Sequence, residues 1–333
     1  MESIRSGRRC TNIRMKAVLI RKFGAPDVMD IEDVDVPLIS NDELLVRIHS
    51  SSVNPVDWKI RNGSLRFITG TKFPMSLGFD VAGEVVKIGL NVRRFKKDDR
   101  VFAMLRYRER GAYAEFVRVR ESDAALMPEE MDFMTAAAIP LAGLTAYQGL
   151  HYKGSLTNGE SVLVNGASGG VGSFAVQLAK AGRASVTAVC GTDNLERLRG
   201  LGIDKVIDYR KDDFTAFPTK YDIIFDAVGK LSFFGVRRNL NDAGRYITTL
   251  PNAGNVCSFF LLPFLTVFGY HKRAMMINVK PNGSDLEYLA ILSKKNKVVP
   301  LIDRVYPLDK IREAHAYSEA GHARGKIVIK IAR

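Results

Sequence analysis

The stretch that most limits what this chain can fold into is residues 161–172. It reads Ser161-Val-Leu-Val-Asn165 and then Gly166-Ala167-Ser168-Gly169-Gly170-Val171-Gly172. An apolar run of strand length meets a glycine-rich turn. An amphipathic helix is predicted to follow over Ser173–Lys180, with Phe174, Val176, Leu178 and Ala179 among its apolar residues. Strand, tight turn and helix in this order open a dinucleotide-binding unit. Gly169 lets the backbone approach a pyrophosphate, Gly172 lets the helix close on the strand, and free N–H groups at the helix start face the phosphates. The fingerprint stands as Ala167-x-Gly169-x-x-Gly172, with alanine in place of the first glycine.

Later strands recur at the spacing such a unit needs. Ser185–Cys190, Lys205–Tyr209, Tyr221–Asp226 and Gly244–Leu250 are apolar runs, with a short helix over 195–201 between the first two. Continuous apolar strands alternating with helices call for a parallel sheet covered on both faces. Ligands of such sheets lie beyond the carboxyl ends of the strands, so Val228, Gly229 and Leu250 are expected to rim the cofactor.

The preceding part of the chain reads differently. Runs at Met15–Ile20, Leu44–Ser50, Val81–Ile88, Val101–Leu105 and Tyr113–Val119 alternate partially and are punctuated by Gly78, Gly83, Gly89 and Gly111. They predict a mostly-β, partly open barrel with no helix of length before Phe133. Helical composition begins over 133–150. Near the other end, Asp285–Lys294 and Leu308–Ser318 read as helices, and 274–279, Leu301–Val305 and Lys326–Ile331 as strands. The last two strands are expected to rejoin the first domain. The division is therefore 1–14 flexible basic tail, 15–138 β domain, 139–299 nucleotide-binding domain and 300–333 return segment.

Composition narrows the partners. At 333 residues the chain has room for two domains. A net charge of +13 favours anions, phosphorylated cofactors and acidic membrane surfaces among them. The basic residues are widely spread and no nucleic-acid motif accompanies them, so no nucleic-acid partner is expected. Cys10, Cys190 and Cys257 form no paired framework, which fits a reducing compartment. Residues 1–14 lack the apolar run of a secretory signal, and the expectation is a cytoplasmic protein. The apolar run 256–269 is too short to span a membrane and is interrupted by Pro263. It reads as a flap over the site or a buried interface piece such as a dimer contact, or, with His271-Lys272-Arg273 beside it, as a peripheral contact through 256–273 to anionic lipid.

Several phrases now point to one family. They are Asn54-Pro-Val-Asp-Trp-Lys59, Leu77-Gly-Phe-Asp-Val-Ala-Gly-Glu84, Ala138-Ile-Pro-Leu-Ala-Gly-Leu-Thr-Ala146, the glycine loop and Gly321-His-Ala-Arg-Gly-Lys326. The chain resembles the medium-chain dehydrogenase/reductase superfamily and, within it, the zinc-free quinone oxidoreductases. The resemblance implies an α/β fold, in which a Rossmann-type doubly wound parallel sheet is joined to a GroES-like partly open β-barrel domain. It also implies a homodimer.

By that resemblance the catalytic zinc ligands of metal-dependent relatives fall at Asp57, Phe79 and Ala142, two of which cannot bind metal. No Cys/His cluster of metal spacing exists elsewhere, and His49, His151, His271, His315 and His322 read as surface residues. Metal is accordingly expected to be absent. Asn54, Asp57 and Lys59 are the candidate catalytic residues, with Asn54 donating to a carbonyl oxygen and Asp57 orienting Lys59 or relaying a proton. Trp58 reads as core. The resemblance implies cofactor contacts from Thr145, from Ala167, Ser168, Gly169, Gly170, Val171 and Gly172, and from Arg324 and Lys326.

The cofactor expected is NADPH. NADH sites usually place a carboxylate at the end of the second strand, and here that position is Gly191. Thr192 and Asn194 can donate to a 2′-phosphate. Tyr209 matches a family position that approaches it, and Arg210 and Lys211 add charge. Asp193 is expected to point outward. The function expected is reduction of a quinone or of the C=C bond of an α,β-unsaturated carbonyl, on a small hydrophobic electrophile. The alternatives are a zinc-free alcohol or aldehyde oxidoreductase, and a catalytically idle NADPH-binding regulatory or membrane-associated protein.

Overall fold

The computed structural model describes residues 13–250, 255–256, 258–259, 262, 269–321 and 323–332. The basic tail up to residue 12, most of the run 256–269, and His322 lie outside the described residues. Among those described, no helix is long and apolar enough to cross a membrane.

The first part of the chain folds into strands β1 (Arg14–Ile20), β2 (Met29–Asp35), β3 (Glu43–Val53), β4 (Met75–Ser76), β5 (Asp80–Ile88), β6 (Arg100–Met104), β7 (Phe116–Arg120) and β8 (Ala124–Leu126). β1 pairs antiparallel with β2 and β4, and the larger sheet runs through β3, β5, β6 and β8 with β7 also on β3. Its inward-facing residues, Leu44, Val46, Ile48, Val81, Val85 and Val101 among them, form one core.

The nucleotide-binding sheet is built from β9 (Ser161–Asn165), β10 (Ser185–Cys190), β11 (Lys205–Asp208), β12 (Tyr221–Asp226), β13 (Leu240–Thr248) and β14 (Arg273–Met276). Its order is β11-β10-β9-β12-β13-β14 and every pairing is parallel. β9 lies in the middle, where the strand order reverses, and such a switch point is where open α/β sheets bind ligands. The strand expected from Gly244 begins four residues earlier at Leu240, because parallel pairing to Tyr221 of β12 extends it.

The last strands, β15 (Ile302–Pro307) and β16 (Lys326–Lys330), return to the first domain. β16 lies antiparallel to β3, with Ile327 opposite Val53 and Lys330 opposite Ser50. Two helices also precede residue 133, of which Pro55–Arg61 matters for the site. It is short, so it carries little hydrophobic periodicity. Its start is fixed by Pro55 in the first turn and by Asp57, whose carboxylate reaches back to the Asn54 N–H at 2.8 Å.

Candidate active site

The glycine loop has the geometry of a phosphate cradle. Helix Gly170–Ala181 starts directly after Gly169 and leaves its first-turn N–H groups without helical partners. Gly166 holds φ at 76°, a conformation that disfavours any side chain. A Cβ on Gly172 would stand 2.1 Å from the Gly166 carbonyl oxygen, so only glycine lets the helix approach β9 this closely. A Cβ on Gly169 would meet only the Gly166 oxygen, at 3.4 Å, which leaves its outer face open. Ser168, Gly170 and Val171 sit half-buried around it, whereas the Ala167 methyl is turned into the core beneath.

At the far end of this cradle the structure rearranges several expected contacts. The Thr192 hydroxyl donates to Asp208 at 2.6 Å and is not directed at the cradle, because the Asp208 carboxylate at the end of β11 lies within reach. That hydrogen bond, with help from the Arg210 N–H, holds the Asp208 carboxyl below its usual range. Asn194 keeps its Oδ1 buried with no partner. Asp193 is ion-paired with two guanidinium groups, Arg210 at 3.5 Å and Arg324 at 3.6 Å. Tyr209 is exposed and lies over Gly191, its hydroxyl 3.4 Å from where a Cβ would stand. Gly191 thus floors a surface walled by Tyr209, Arg210 and Arg324. Lys211 adds its positive charge beside Asp208.

The strand ends close the other side. Asp226 at the end of β12 accepts from Asn165 Nδ2, from the N–H groups of Val228, Gly229 and Leu231, and from Tyr246 Oη. It fixes the turn that presents Val228, and Leu250 packs on Gly229 beside it. Thr145 is buried in helix Pro140–Tyr147 and its hydroxyl donates back to the Leu141 carbonyl at 2.6 Å.

Between the domains lies a buried polar cluster. Lys326 of β16 was expected to contact the cofactor. Its Nζ instead donates to Asn54 Oδ1 at 2.5 Å and pairs with Asp80 Oδ2 at 3.2 Å. Its aliphatic stem passes under the glycine loop, with Cδ 3.1 Å from a Cβ position on Gly170. Asp80 also accepts from Ser52 Oγ, from Asn54 Nδ2 at 2.8 Å and, through Oδ1, from Leu141 N at 2.7 Å. The Asn54 amide is therefore committed on both ends.

Asp57 is fully buried, and the sequence-based pairing with Lys59 does not form. Residues two apart on a helix face different ways. Lys59 is half-buried with its ammonium 5.4 Å over the Trp58 ring, and the Trp58 Nε1 is buried without a partner. Asp57 accepts instead from Asn54 N and, at 3.0 Å, from Gly78 N. Behind it stands a chain the sequence did not reveal. Arg61 Nη1 lies 3.4 Å from His315 Nδ1, and His315 Nε2 lies 3.3 Å from Tyr113 Oη. His315, read from sequence as a surface residue, is fully buried. A guanidinium can only donate, so His315 carries its proton on Nε2 and donates to Tyr113, whose hydroxyl donates to the Ser52 carbonyl at 3.4 Å and lies close enough to Asp57 to feel its charge.

Burial pushes the Asp57 carboxyl up to about 7, the bond from Asn54 N–H opposing it and Asp80 adding to it. The folded pKa lies above the unfolded one. The folded chain therefore holds more protons between roughly pH 4 and 7, and stability from this group is lost as pH rises through that window. Asp57→Ala orphans two buried N–H groups and is expected to lower the melting temperature more at pH 5 than at pH 8. Equal deficits at both pH values would show that Asp57 does not titrate there.

Comparison with known proteins decides the family. Residues 40–129 match the family described as Alcohol dehydrogenase GroES-like domain, and residues 201–329 the family described as Zinc-binding dehydrogenase. A chloroplastic quinone-oxidoreductase homolog of Spinacia oleracea is 36% identical over 92% of this chain and 95% of its own. The chain belongs to the medium-chain dehydrogenase/reductase superfamily, in its quinone-oxidoreductase-like branch. A chloroplastic NADPH-dependent alkenal/one oxidoreductase of Arabidopsis thaliana is 34% identical over 95% of this chain and 79% of its own. The solved quinone oxidoreductase of Coxiella burnetii superposes with a TM-score of 0.85 at 31% identity, covering 96% of this chain and 100% of its own.

The zinc in that family description does not fit the residues of this superfamily member. Phe79 and Ala142 are buried hydrocarbon, and both Asp57 oxygens are taken by backbone N–H groups. Among the described residues no group of three or more His, Cys, Asp or Glu is placed to hold a metal. A dinucleotide does fit. Gly169 leaves its outer face open, and the helix that starts beside it offers first-turn N–H groups without helical partners, the donors a pyrophosphate requires.

Proposed function

We propose that this oxidoreductase uses NADPH to reduce a quinone or the C=C bond of an α,β-unsaturated carbonyl compound. The observation that carries the reading is the apolar pair Phe79 and Ala142 at the positions where a metal-dependent relative would polarise an alcohol oxygen. A site walled this way suits a substrate that is already electron-poor, since such a carbon accepts hydride without a Lewis acid. Bound NADPH supplies the hydride, and one further proton per substrate comes from solvent. The chain's part is to bind and orient. The glycine loop and helix start hold the pyrophosphate, and Val228, Leu250 and Thr145 confine the nicotinamide end. Asp80, through Leu141 N, and the Lys326 stem beside Gly170 tie the first domain to the nucleotide-binding one. NADPH oxidation with 1,4-quinones and with short alkenals tests the reading. Turnover with either supports it. Tight NADPH binding with no turnover on both classes would overturn it in favour of an idle binding protein.

NADPH over NADH follows from the surface around Gly191. It lacks a carboxylate at the strand end, and Arg210 and Arg324 are held beside it by Asp193. Arg210→Ala is expected to lower kcat/KM for NADPH about tenfold, since hydrogen bonds to charged groups contribute about 1.5–3 kcal/mol, and to leave NADH nearly untouched. Tyr209→Phe should narrow the gap in the same direction. Better turnover with NADH in the parent protein would reverse the assignment. The assembly we propose is a homodimer, read from the family resemblance, and light scattering at micromolar protein measures it. A cytoplasmic location is retained as the simplest reading of the sequence. Two relatives are named chloroplastic, and imaging of a fluorescent fusion decides between cytoplasm and organelle.

A further inference from the structure

The loop between β6 and β7 carries two buried polar atoms with nothing to bond. Tyr107 Oη and Arg110 Nε are both out of solvent and without a hydrogen-bond partner. Such groups are rare in folded proteins, because each forfeits its hydration without compensation. Their location is specific. The Tyr107 ring lies 5.7 Å from the Phe79 ring, and the Arg110 guanidinium carbon lies 6.0 Å from the Tyr107 ring centre.

The loop is also pinned rather than free. Leu105 N donates to the Phe79 carbonyl at 2.8 Å, and Gly111 N and Ala112 N donate to the Gly78 carbonyl at 3.0 and 3.2 Å. Ser76 Oγ donates to the Arg110 carbonyl at 2.9 Å, and Arg110 Nη1 to the Tyr107 carbonyl at 2.8 Å. Segment 76–79 is the one that Asp57 caps through Gly78 N. The Tyr107 hydroxyl is thus held beside the apolar wall at Phe79, with the Arg110 guanidinium against the Tyr107 ring and both within the field of Asp57.

We propose that Tyr107 Oη and Arg110 Nε together receive the carbonyl oxygen of the substrate, the atom on which negative charge develops during reduction. This rests on the reading of the protein as a quinone or enone reductase. It adds the residues that would take the charge once Asn54 is committed to Asp80 and Lys326. A guanidinium is always a donor. Burial raises the Tyr107 hydroxyl above its ordinary range and so keeps it protonated, as a donor must be. Preorganised donors of this kind do not have to reorient as charge appears, which is why losing one costs about 10²–10³ in rate. The ligand class is a planar electrophile with one oxygen conjugated to the carbon that is attacked.

A binding measurement separates this site from the reaction. 4-Nitrophenolate presents an aryl oxyanion, and nitrobenzene is the same ring without it. Titrated calorimetrically into the NADP⁺-loaded protein at alkaline pH, the phenolate is expected to bind about 10²-fold more tightly, with the gap collapsing in Tyr107→Phe and in Arg110→Gln. No gap in the parent protein, or a gap that survives both variants, overturns the assignment. In the active enzyme Tyr107→Phe should lower kcat about 10²-fold, with the KM for NADPH unchanged and the melting temperature equal or higher. An unchanged kcat overturns it as well. A parent protein that shows the binding gap but reduces neither quinones nor alkenals keeps the oxyanion site and sinks the reductase reading alone.

Discussion

Lys326→Met is expected to lower the melting temperature by roughly 5 °C and to inactivate the enzyme at assay temperatures where the parent is stable. Lys326 and Asp80 are an ion pair buried on both sides, at 3% and 0% side-chain exposure. Removing the ammonium leaves the carboxylate uncompensated, at a cost of about 3–5 kcal/mol. The Leu141 N–H at the start of helix Pro140–Tyr147 remains as a donor to Asp80, which offsets part of that. The double variant Lys326→Met with Asp80→Asn removes both charges together and should regain at least half of the loss. Identical melting temperatures for single and double variants would attribute the effect to packing around Gly170 and not to charge. A thermal-shift series on the four proteins of this cycle reads the coupling directly.

Two glycines three residues apart should fail in different ways. Gly172→Ala forces a Cβ to 2.1 Å from the Gly166 oxygen, so helix Gly170–Ala181 must retreat from β9. Overpacking of this kind costs about 1–3 kcal/mol. The helix start then moves away from the phosphates, and NADPH affinity is expected to fall about 10²-fold. Gly169→Ala meets nothing closer than 3.4 Å, so the ligand-free protein should melt within a degree or two of the parent. Its methyl would instead stand where the pyrophosphate must approach, and NADPH affinity is expected to fall about tenfold. Fluorescence titration with NADPH beside a melting curve separates the two. Full affinity in Gly169→Ala would place the pyrophosphate elsewhere.

The parallel sheet was legible because it is written in contiguous signals. Apolar runs of strand length, a glycine turn and a helix pattern each need only their own residues, and β9, β10 and β12 begin and end where the runs do. The site was legible only in part, because its partners are far apart in sequence. Asp57 two residues from Lys59 looked like a pair, yet Asp57 bonds to Asn54 and Gly78. The resemblance puts Lys326 at the cofactor, but its ammonium points 272 residues back to Asn54. Thr192 was read as a phosphate donor because nothing in the sequence says that Asp208 comes within reach. Tyr107 and Arg110 left no signal at all, since an exposed-looking basic loop and a buried one have the same composition. The run 256–269 stays with its expectation, although its Leu262 belongs to the core around Tyr246.

The pairing of β16 with β3 sets the order in which a nascent chain can be completed. Strand β3 is made long before its neighbour, Ile327 to Lys330. Until then the barrel lacks one wall and Asp80 lacks its cation. The nucleotide-binding sheet, by contrast, is contiguous in sequence from β9 to β14, and its described strands are complete some fifty residues before β16 begins. Synthesis therefore presents the cell with a half-finished barrel tethered to a finished sheet, a state with unpaired strand edges that chaperones recognise. Premature termination a few residues short of Lys326 would damage the β domain far more than the nucleotide-binding one.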